Sequence, residues 1–363
     1  MIKRRKINLQ IHASNVCGLG ARNVLFKLSS EIIKNRLFNK KTIYLNQDLN
    51  HHLFYKFQNS FFIKRILWNP LSRAIEIFNP FLYGSLESAD WLLVFGDIPL
   101  FWHKKQILFL QSILMIDGSN IHNFSSRIKF IFIRKIFSFT ISKPRIIIVQ
   151  TELMRGLIVA LYPEIRDRIF VCHLPSPYCG SINRDPNFPP QKNYKKKLTL
   201  FYPARPYFHK NYKILANLSQ DLPVKNIFLT ADNSFNPNVK LSFLNCIGHL
   251  DENEVLKYYY ACDGLIFLSL AESYGFPLVE AMSLGKPIIC PDLPYARYLC
   301  GENAIYFSAS SSLSLEFAIL TLHRKLLMGW EPDWSDAMLK IPSNWKKVCD
   351  FIAKTVVNSI NDK

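Results

Sequence analysis

Metal and redox motifs are missing from this chain. Its eight cysteines, at 17, 172, 179, 246, 262, 290, 300 and 349, form no Cys-x-x-Cys pair, which removes a zinc or dithiol framework. Cys172 and Cys290 lie inside apolar runs, where a reduced thiol acts as a small hydrophobe, so a reducing compartment is expected. Ser-His-Asp order, His-Glu-x-x-His, Asp-x-Asp and a Walker loop are all lacking. Glycine is scarce, 13 of 363 residues, and no third glycine turns Gly18-Leu-Gly20 into a dinucleotide fingerprint, which argues against a dehydrogenase. No stretch reaches the ~18 uninterrupted apolar residues of a membrane span. The start, Met1-Ile-Lys-Arg-Arg-Lys6, is basic, but the short alternating run Ile7–Ile11 behind it reads as a strand and not as the core of a secretory signal.

Acidic residues are also in deficit. The chain carries 45 Lys+Arg against 27 Asp+Glu, a formal net charge of +18. The imbalance is concentrated: residues 1–180 hold 25 basic and 10 acidic side chains, whereas 181–363 hold 20 and 17. An anionic partner is therefore expected for the first half: a nucleic acid, an anionic membrane surface or an acidic substrate. Residues 124–147 favour the second. There Arg127, Lys129, Arg134 and Lys135 interleave with Phe130, Ile131, Phe132, Ile133, Ile136 and Phe137. A basic amphipathic helix with aromatics reads as membrane-interfacial; an ordinary core-facing helix with a basic outer side is the other reading. A nucleic-acid binder would need aromatic platforms or a groove-reading helix, so no nucleic-acid partner is expected.

What is present points to two α/β halves, the natural division for this length. Strands are expected at 7–11, 41–45, 91–95, 106–110 and 145–150, and helices at 23–33, 71–77, 128–137 and 152–161. This alternation implies a parallel sheet covered on both faces. The Pro-rich stretch 175–197 with its Lys195-Lys-Lys197 run reads as a boundary. Beyond it come strands at 198–202, 226–230 and near 239–247, and helices at 213–218 and 251–261. Residues 343–360 read as a long final amphipathic helix.

The densest information lies at 264–290. An apolar run, 264–270, reads as a buried strand, then Glu272-Ser-Tyr-Gly-Phe-Pro-Leu-Val-Glu280 opens a helix at 278–284. Gly285-Lys-Pro287 stops that helix, and a strand follows at 288–290. A loop feeding a helix N-terminus is a ready phosphate site. A glutamate at each end of it could hold hydroxyls beside the phosphate, and phosphate plus hydroxyls suggests a nucleotide-sugar.

Glu-x7-Glu around Gly-Phe-Pro, with Glu-Ala-Met-Ser-Leu-Gly-Lys-Pro at 280–287, resembles the donor-site signature of retaining glycosyltransferases of family 4 (glycosyltransferase group 1). The resemblance is specific over about 200–345 and looser before. It implies a GT-B fold: two Rossmann-like domains facing across a cleft, here 1–180 and 198–342, joined by a linker at 181–197, with the final helix, 343–363, crossing back to the first domain. It implies that Glu280 holds the ribose hydroxyls, that Glu272 lies near the sugar, and that backbone N–H groups across Gly275, Phe276, Pro277 and Leu278 bind phosphate and sugar oxygens. Arg205 and Lys210, in the loop after strand 198–202, resemble the family's cations on the donor diphosphate. Such cations stabilise a departing diphosphate and could make a metal unnecessary, so no metal or other cofactor is expected. The Gly18 and Gly20 turn would face the donor phosphate. The family's first-domain His has no secure counterpart among His12, His103 and His122.

The expected function is transfer of a sugar, with retention, from a nucleotide-sugar to an anionic, membrane-held acceptor in O-antigen, capsule or lipopolysaccharide assembly. The protein would sit peripherally on the inner face of the cytoplasmic membrane. Another enzyme of this fold, a nucleotide-sugar epimerase or phosphorylase, and a basic nucleic-acid-binding protein are the alternatives.

Overall fold

A computed structural model describes residues 6–16, 18–46, 57, 59–63, 75–79, 89–96, 98–116, 124–178 and 197–361. The linker expected at 181–197 lies outside these residues except for Lys197, as does most of the helix expected at 71–77. The chain divides into two compact units, Met1–Leu174 with Asn344–Lys363, and Pro175–Ser343.

Among the described residues the first unit holds seven strands: β1 (Ile7–Ala13), β2 (Phe38–Asn46), β3 (Asn59–Ile63), β4 (Trp91–Phe95), β5 (Gln106–Phe109), β6 (Ile146–Val149) and β7 (Ile169–Val171). They lie in the order β3-β2-β1-β4-β5-β6-β7, every pair parallel. β4, β5 and β6 are buried at every residue, as strands covered on both faces must be. Helix α1 (Leu19–Lys34) follows β1 and buries Val24, Leu25, Leu28 and Ile32, the face its spacing implies. Helix α2 (Phe124–Thr140) joins β5 to β6. Helix α3 (Glu152–Leu161) joins β6 to β7, its first turn held by Thr151 Oγ1, which accepts from Met154 N at 3.1 Å. Strands β3 and β7 had no sequence expectation; the three residues of β7 are too few to show a period.

The second unit repeats the plan with β8 (Leu198–Tyr202), β9 (Val224–Leu229), β10 (Leu244–Cys246), β11 (Gly264–Ile266), β12 (Ile288–Pro291) and β13 (Ile305–Phe307). All pairs are parallel, in the order β10-β9-β8-β11-β12-β13. Its helices are α4 (Glu252–Ala261), α5 (Phe276–Ser283), α6 (Pro294–Cys300), α7 (Ser312–Leu327) and α8 (Ser335–Leu339). A capping box opens α4: Asp251 accepts from Glu254 N and Glu254 from Asp251 N, both at 2.8 Å. The last helix, α9 (Trp345–Asn361), belongs to the first unit and packs on α1. Arg145 Nε donates to Ser359 Oγ at 2.7 Å, and Val348, Ile352 and Val356 are buried.

Two expected elements differ. No α-helix spans 213–218; two 3-10 turns, Phe208–Lys210 and Tyr212–Asn217, replace it. Asn211 between them is left-handed (φ 51°), so the two turns cannot run on as one right-handed helix. The strand near 239–247 shrinks to Leu244–Cys246, because Asn236 and Asn238 side chains accept from the N–H two residues on, each at 3.0 Å, and so build turns.

Strand order reverses between β1 and β4, and again between β8 and β11. In open parallel sheets, ligands bind beyond the carboxyl ends of the strands at such a reversal. In the second unit the loops leaving those strands are 203–211 and 267–275.

Candidate functional site

The reversal brings together residues 62 positions apart. Lys210 Nζ and Glu272 Oε1 form an ion pair, each side chain 14% exposed. Tyr202, at the end of β8, donates its hydroxyl to Lys210 O at 2.8 Å. Leu270 N donates to His209 O at 2.7 Å, which ties the two loops together. Asn211 in its left-handed turn donates Nδ2 to Ala309 O at 3.0 Å. The Lys210 loop is thus tethered from three sides. His209, beside the pair, has its pKa lowered to about 4 by burial and secondarily by Lys210. It is neutral at pH 7, so one cation, not two, faces Glu272 here.

Helix α5 begins at Gly275, whose φ of +84° is left-handed. A Cβ there would lie 3.3 Å from Leu278 Cδ1, so both conformation and space select glycine. The turn narrows the expected phosphate contacts. Pro277 has no N–H, and Leu278 N donates back to Gly275 O at 3.0 Å, which leaves Gly275 and Phe276 N–H within this segment. Leu278, Val279, Ala281 and Met282 are buried and anchor the helix. Gly285 ends it: Gly285 N donates to Met282 O at 3.0 Å and Lys286 N to Ala281 O at 2.9 Å, a Schellman closure. Lys286 Nζ caps the last carbonyls of α4, Tyr260 O at 3.2 Å and Cys262 O at 2.8 Å; its place in the motif is structural.

Glu280 lies on α5 and accepts at Oε2 from Tyr259 Oη at 2.9 Å. Burial raises its pKa to about 7, against the lowering effect of the Tyr259 bond. Tyr259 is fully buried, and Tyr178 meets it edge-on with centroids 6.0 Å apart. Tyr178 and the neighbouring Ser176 belong to the second unit; Ser176 accepts from Ser283 Oγ on α5 at 2.9 Å. Sequence reading missed Tyr259, Tyr178 and His209. For Tyr259 a signal was available: α4 places three consecutive tyrosines, 258–260, directly before the donor unit.

The remaining expected residues lie elsewhere. Arg205 is exposed and donates to His249 Nε2 at 3.4 Å, not to the Lys210–Glu272 pair. Gly18 caps α1 with an ordinary φ of −68° and open space where a Cβ would stand, so backbone geometry does not demand glycine there. Gly20 lies in the first turn of α1. Among the described residues of the first unit, Gly96 is the glycine its backbone requires, with φ +105° and a Cβ position 2.9 Å from Asn15 Cβ. Arg127, Lys129, Arg134 and Lys135 all lie on α2. The other reading of that helix, a core-facing one, holds for Phe137 (0% exposed) and not for Ile128, Ile131, Phe132 and Phe139, which are 52–67% exposed. A buried polar network, absent from the sequence reading, lies past β1: Ser14 Oγ donates to Glu76 Oε2 at 3.0 Å and stands 3.4 Å from His12 Nε2. Among the described residues no group of three or more His, Cys, Asp or Glu could hold a metal ion, and no helix is long and apolar enough to cross a membrane.

With this geometry in place, comparison with known proteins becomes specific. Residues 236–314 match the family model described as "Glycosyl transferases group 1". The matched stretch spans about a fifth of the chain. It contains Glu272, Glu280, Gly275 and the whole of α5. Over 82 residues the chain is 30% identical to the serotype-specific mannosyltransferase WbdA of Escherichia coli, an alignment covering 23% of this chain and only 10% of WbdA. Among solved structures, the glycosyltransferase WaaG, involved in lipopolysaccharide biosynthesis, superposes with a TM-score of 0.67 at 13% identity, over 95% of this chain and 99% of WaaG. Anabaena HepE, in complex with UDP and glucose, gives 0.61 at 15% identity, over 97% and 99%. At such identities the likeness establishes the fold, GT-B, and not the reaction. A UDP-N-acetylglucosamine 2-epimerase structure shares it at a TM-score of 0.54 and 12% identity.

Proposed function

We propose that the protein transfers a sugar from a nucleotide-sugar, with retention and without a metal, to an anionic membrane-held glycolipid or polysaccharide acceptor in surface-polysaccharide assembly. The observation that carries this is the convergence on one strand reversal of Lys210 paired to Glu272, a glycine-initiated helix, and Glu280 oriented by Tyr259. In this reading Lys210 turns from Glu272 to the donor diphosphate, whose charge grows as the glycosidic bond breaks. Glu272, released, accepts from a sugar hydroxyl, and ionised Glu280 accepts from the ribose hydroxyls. Gly275 and Phe276 N–H groups meet phosphate or sugar oxygen at the positive end of α5. Retention follows from front-face attack assisted by the leaving phosphate.

The acceptor rests on the charge of the first half and on α2, where an exposed apolar stripe, Ile128-Ile131-Phe132-Phe139, runs beside exposed Lys135. Such a face suits the headgroup layer of an anionic membrane. The roles of the similar proteins WaaG and WbdA, lipopolysaccharide biosynthesis and serotype-specific mannosyl transfer, support the same direction.

A thermal-shift panel of UDP, GDP, ADP and their sugars in EDTA, on wild type and Glu280→Ala, tests the donor half. A ligand at ~100 times its dissociation constant adds roughly 2.7 kcal/mol. A selective shift lost in the variant is the expected result, and it names the base; no shift with any nucleotide would reject the reading. The anomeric configuration of the product, read by NMR, tests retention. A donor sugar isomerised in the absence of any acceptor would identify an epimerase instead.

A further inference from the structure

The first unit holds a second concave surface, at the amino-terminal edge of its sheet. A cavity of about 880 Å³ opens between the end of α1, the residue preceding β1 and one side of α9. Its walls carry Lys6, Lys34, Arg36, Lys346 and Lys354 against a single carboxylate, Asp350. Asp350 pairs with Lys346 at 3.1 Å, and Lys34 with Glu31 at 2.7 Å. Among the described residues Lys6, Arg36 and Lys354 have no carboxylate partner. Concentrating uncompensated like charge in a concavity raises the local potential and favours an anion there.

Helix electrostatics do not account for it. A cation at the end of α1 is favourable there, and Lys34 is explained in this way. The end carbonyls of α1 are already met by Lys41, which donates to Ile33 O and to Asn35 O. Lys346, however, lies in the first turn of α9, where no acidic residue is present. A lysine at the positive end of a 17-residue helix opposes the dipole; Asp350 offsets Lys346 alone, and the cavity keeps the charge of Lys6, Arg36 and Lys354. Leu37, Ala353 and Val357 complete the wall with an apolar strip.

We infer that this cavity binds a phosphate-bearing anion with an apolar part next to the phosphate. The guanidinium of Arg36 can meet two phosphate oxygens at once, and the lysines supply point charges for the remainder. A lipid phosphate headgroup and a free phosphorylated solute share this chemistry. The site lies in the other unit from Lys210, Glu272 and Glu280, and it does not depend on the donor reading.

Lysine footprinting of the full chain tests it, with acetylation by an N-hydroxysuccinimide ester followed by mass spectrometry. Inorganic pyrophosphate, phosphatidic acid vesicles and phosphatidylcholine vesicles are the three additions. The expected result is that acetylation of Lys6, Lys346 and Lys354 slows about fivefold or more near saturation. Slowing by pyrophosphate assigns a free solute; slowing by phosphatidic acid vesicles alone assigns a lipid headgroup. The double variant Arg36→Glu, Lys354→Glu loses the protection of Lys6, while Lys225→Glu, Lys257→Glu, the same charge change on the second unit, keeps it. No protection with any addition overturns the inference, as does protection that survives the cavity variant or is lost equally in the control. Lys210 in the same spectra reports the donor loop, so failure of one reading is distinct from failure of the other.

Discussion

Lys210 and Glu272 form an ion pair in which both side chains are largely shielded from solvent. An ion pair this shielded is costly to break from one side, because the survivor stays buried without its partner. Lys210→Ala is therefore expected to lower thermal stability modestly and to cut transfer by about 10²–10³, the scale of losing one preorganised transition-state contact. Near-normal turnover would remove Lys210 from the mechanism. Glu280 makes a second prediction, through pH. Its carboxyl titrates at about 7 when folded, against an ordinary value of 4.5. A raised carboxyl pKa means that the folded state holds the proton more tightly, so this group's contribution to stability is full below about 4.5 and is lost as pH rises through 7. In the proposed donor reading nucleotide binding runs the opposite way, because only the carboxylate accepts two ribose hydroxyls. Affinity is expected to weaken about tenfold for each unit below pH 7 and to level off above pH 8. Calorimetric titration of wild type and Glu280→Gln across pH 5.5–8.5 checks both signs; an equal slope in the variant would assign the effect to another group.

At the scale of the element, two glycines bracket α5 and separate function from stability. Both are left-handed, Gly275 at +84° and Gly285 at +66°, and a side chain at either costs ~1–2 kcal/mol in conformation. Only Gly275 also meets a neighbour, Leu278 Cδ1, and only Gly275 carries one of the N–H groups assigned to the donor. Gly285→Ala is expected to lower the melting temperature and leave nucleotide affinity unchanged, whereas Gly275→Ala lowers both. Equal loss of affinity in the two variants would mean that α5 acts through its stability alone. The same region shows what sequence reading conveys about an element. Glu272, Gly275, Pro277 and Gly285 mark a turn, a helix and its stop by residue type alone, and α5 lies within two residues of the expected start. The segment 213–218 reads as helical because its apolar residues, Ile214, Leu215 and Leu218, are spaced like a helix face. The 3-10 turn Tyr212–Asn217 and its C-cap, Leu218, bury those same side chains.

The whole molecule is a cation of unequal halves, and its association with other surfaces follows from that. The positive excess of the first half, together with the exposed α2 stripe, predicts preferential co-sedimentation with anionic over neutral vesicles, weakening as salt approaches 1 M and the Debye length falls to about 3 Å. Arg134→Glu with Lys135→Glu is expected to remove the preference. Equal sedimentation with both vesicle types in the wild type would sink the membrane reading and leave α2 as a helix with an exposed apolar side.

The sequence by itself determined the two-unit α/β plan, the last helix as an element, and the turn, helix and stop of residues 272–287. Each depends on local information: buried-strand runs, a 3.6-residue period in 343–360, and special residues at turns that only they fit. Tertiary structure alone decided which of the nominated cations meets which carboxylate. Lys210 reaches Glu272 because β8 and β11 are neighbours in the sheet, and Arg205, five residues earlier, turns to His249 instead. It also decided that Tyr259 would hold Glu280, and that Lys6, Arg36 and Lys354 would share one cavity although they are up to 348 positions apart. Strand order and helix return set these pairings, and no periodicity in a single segment encodes which strands become neighbours.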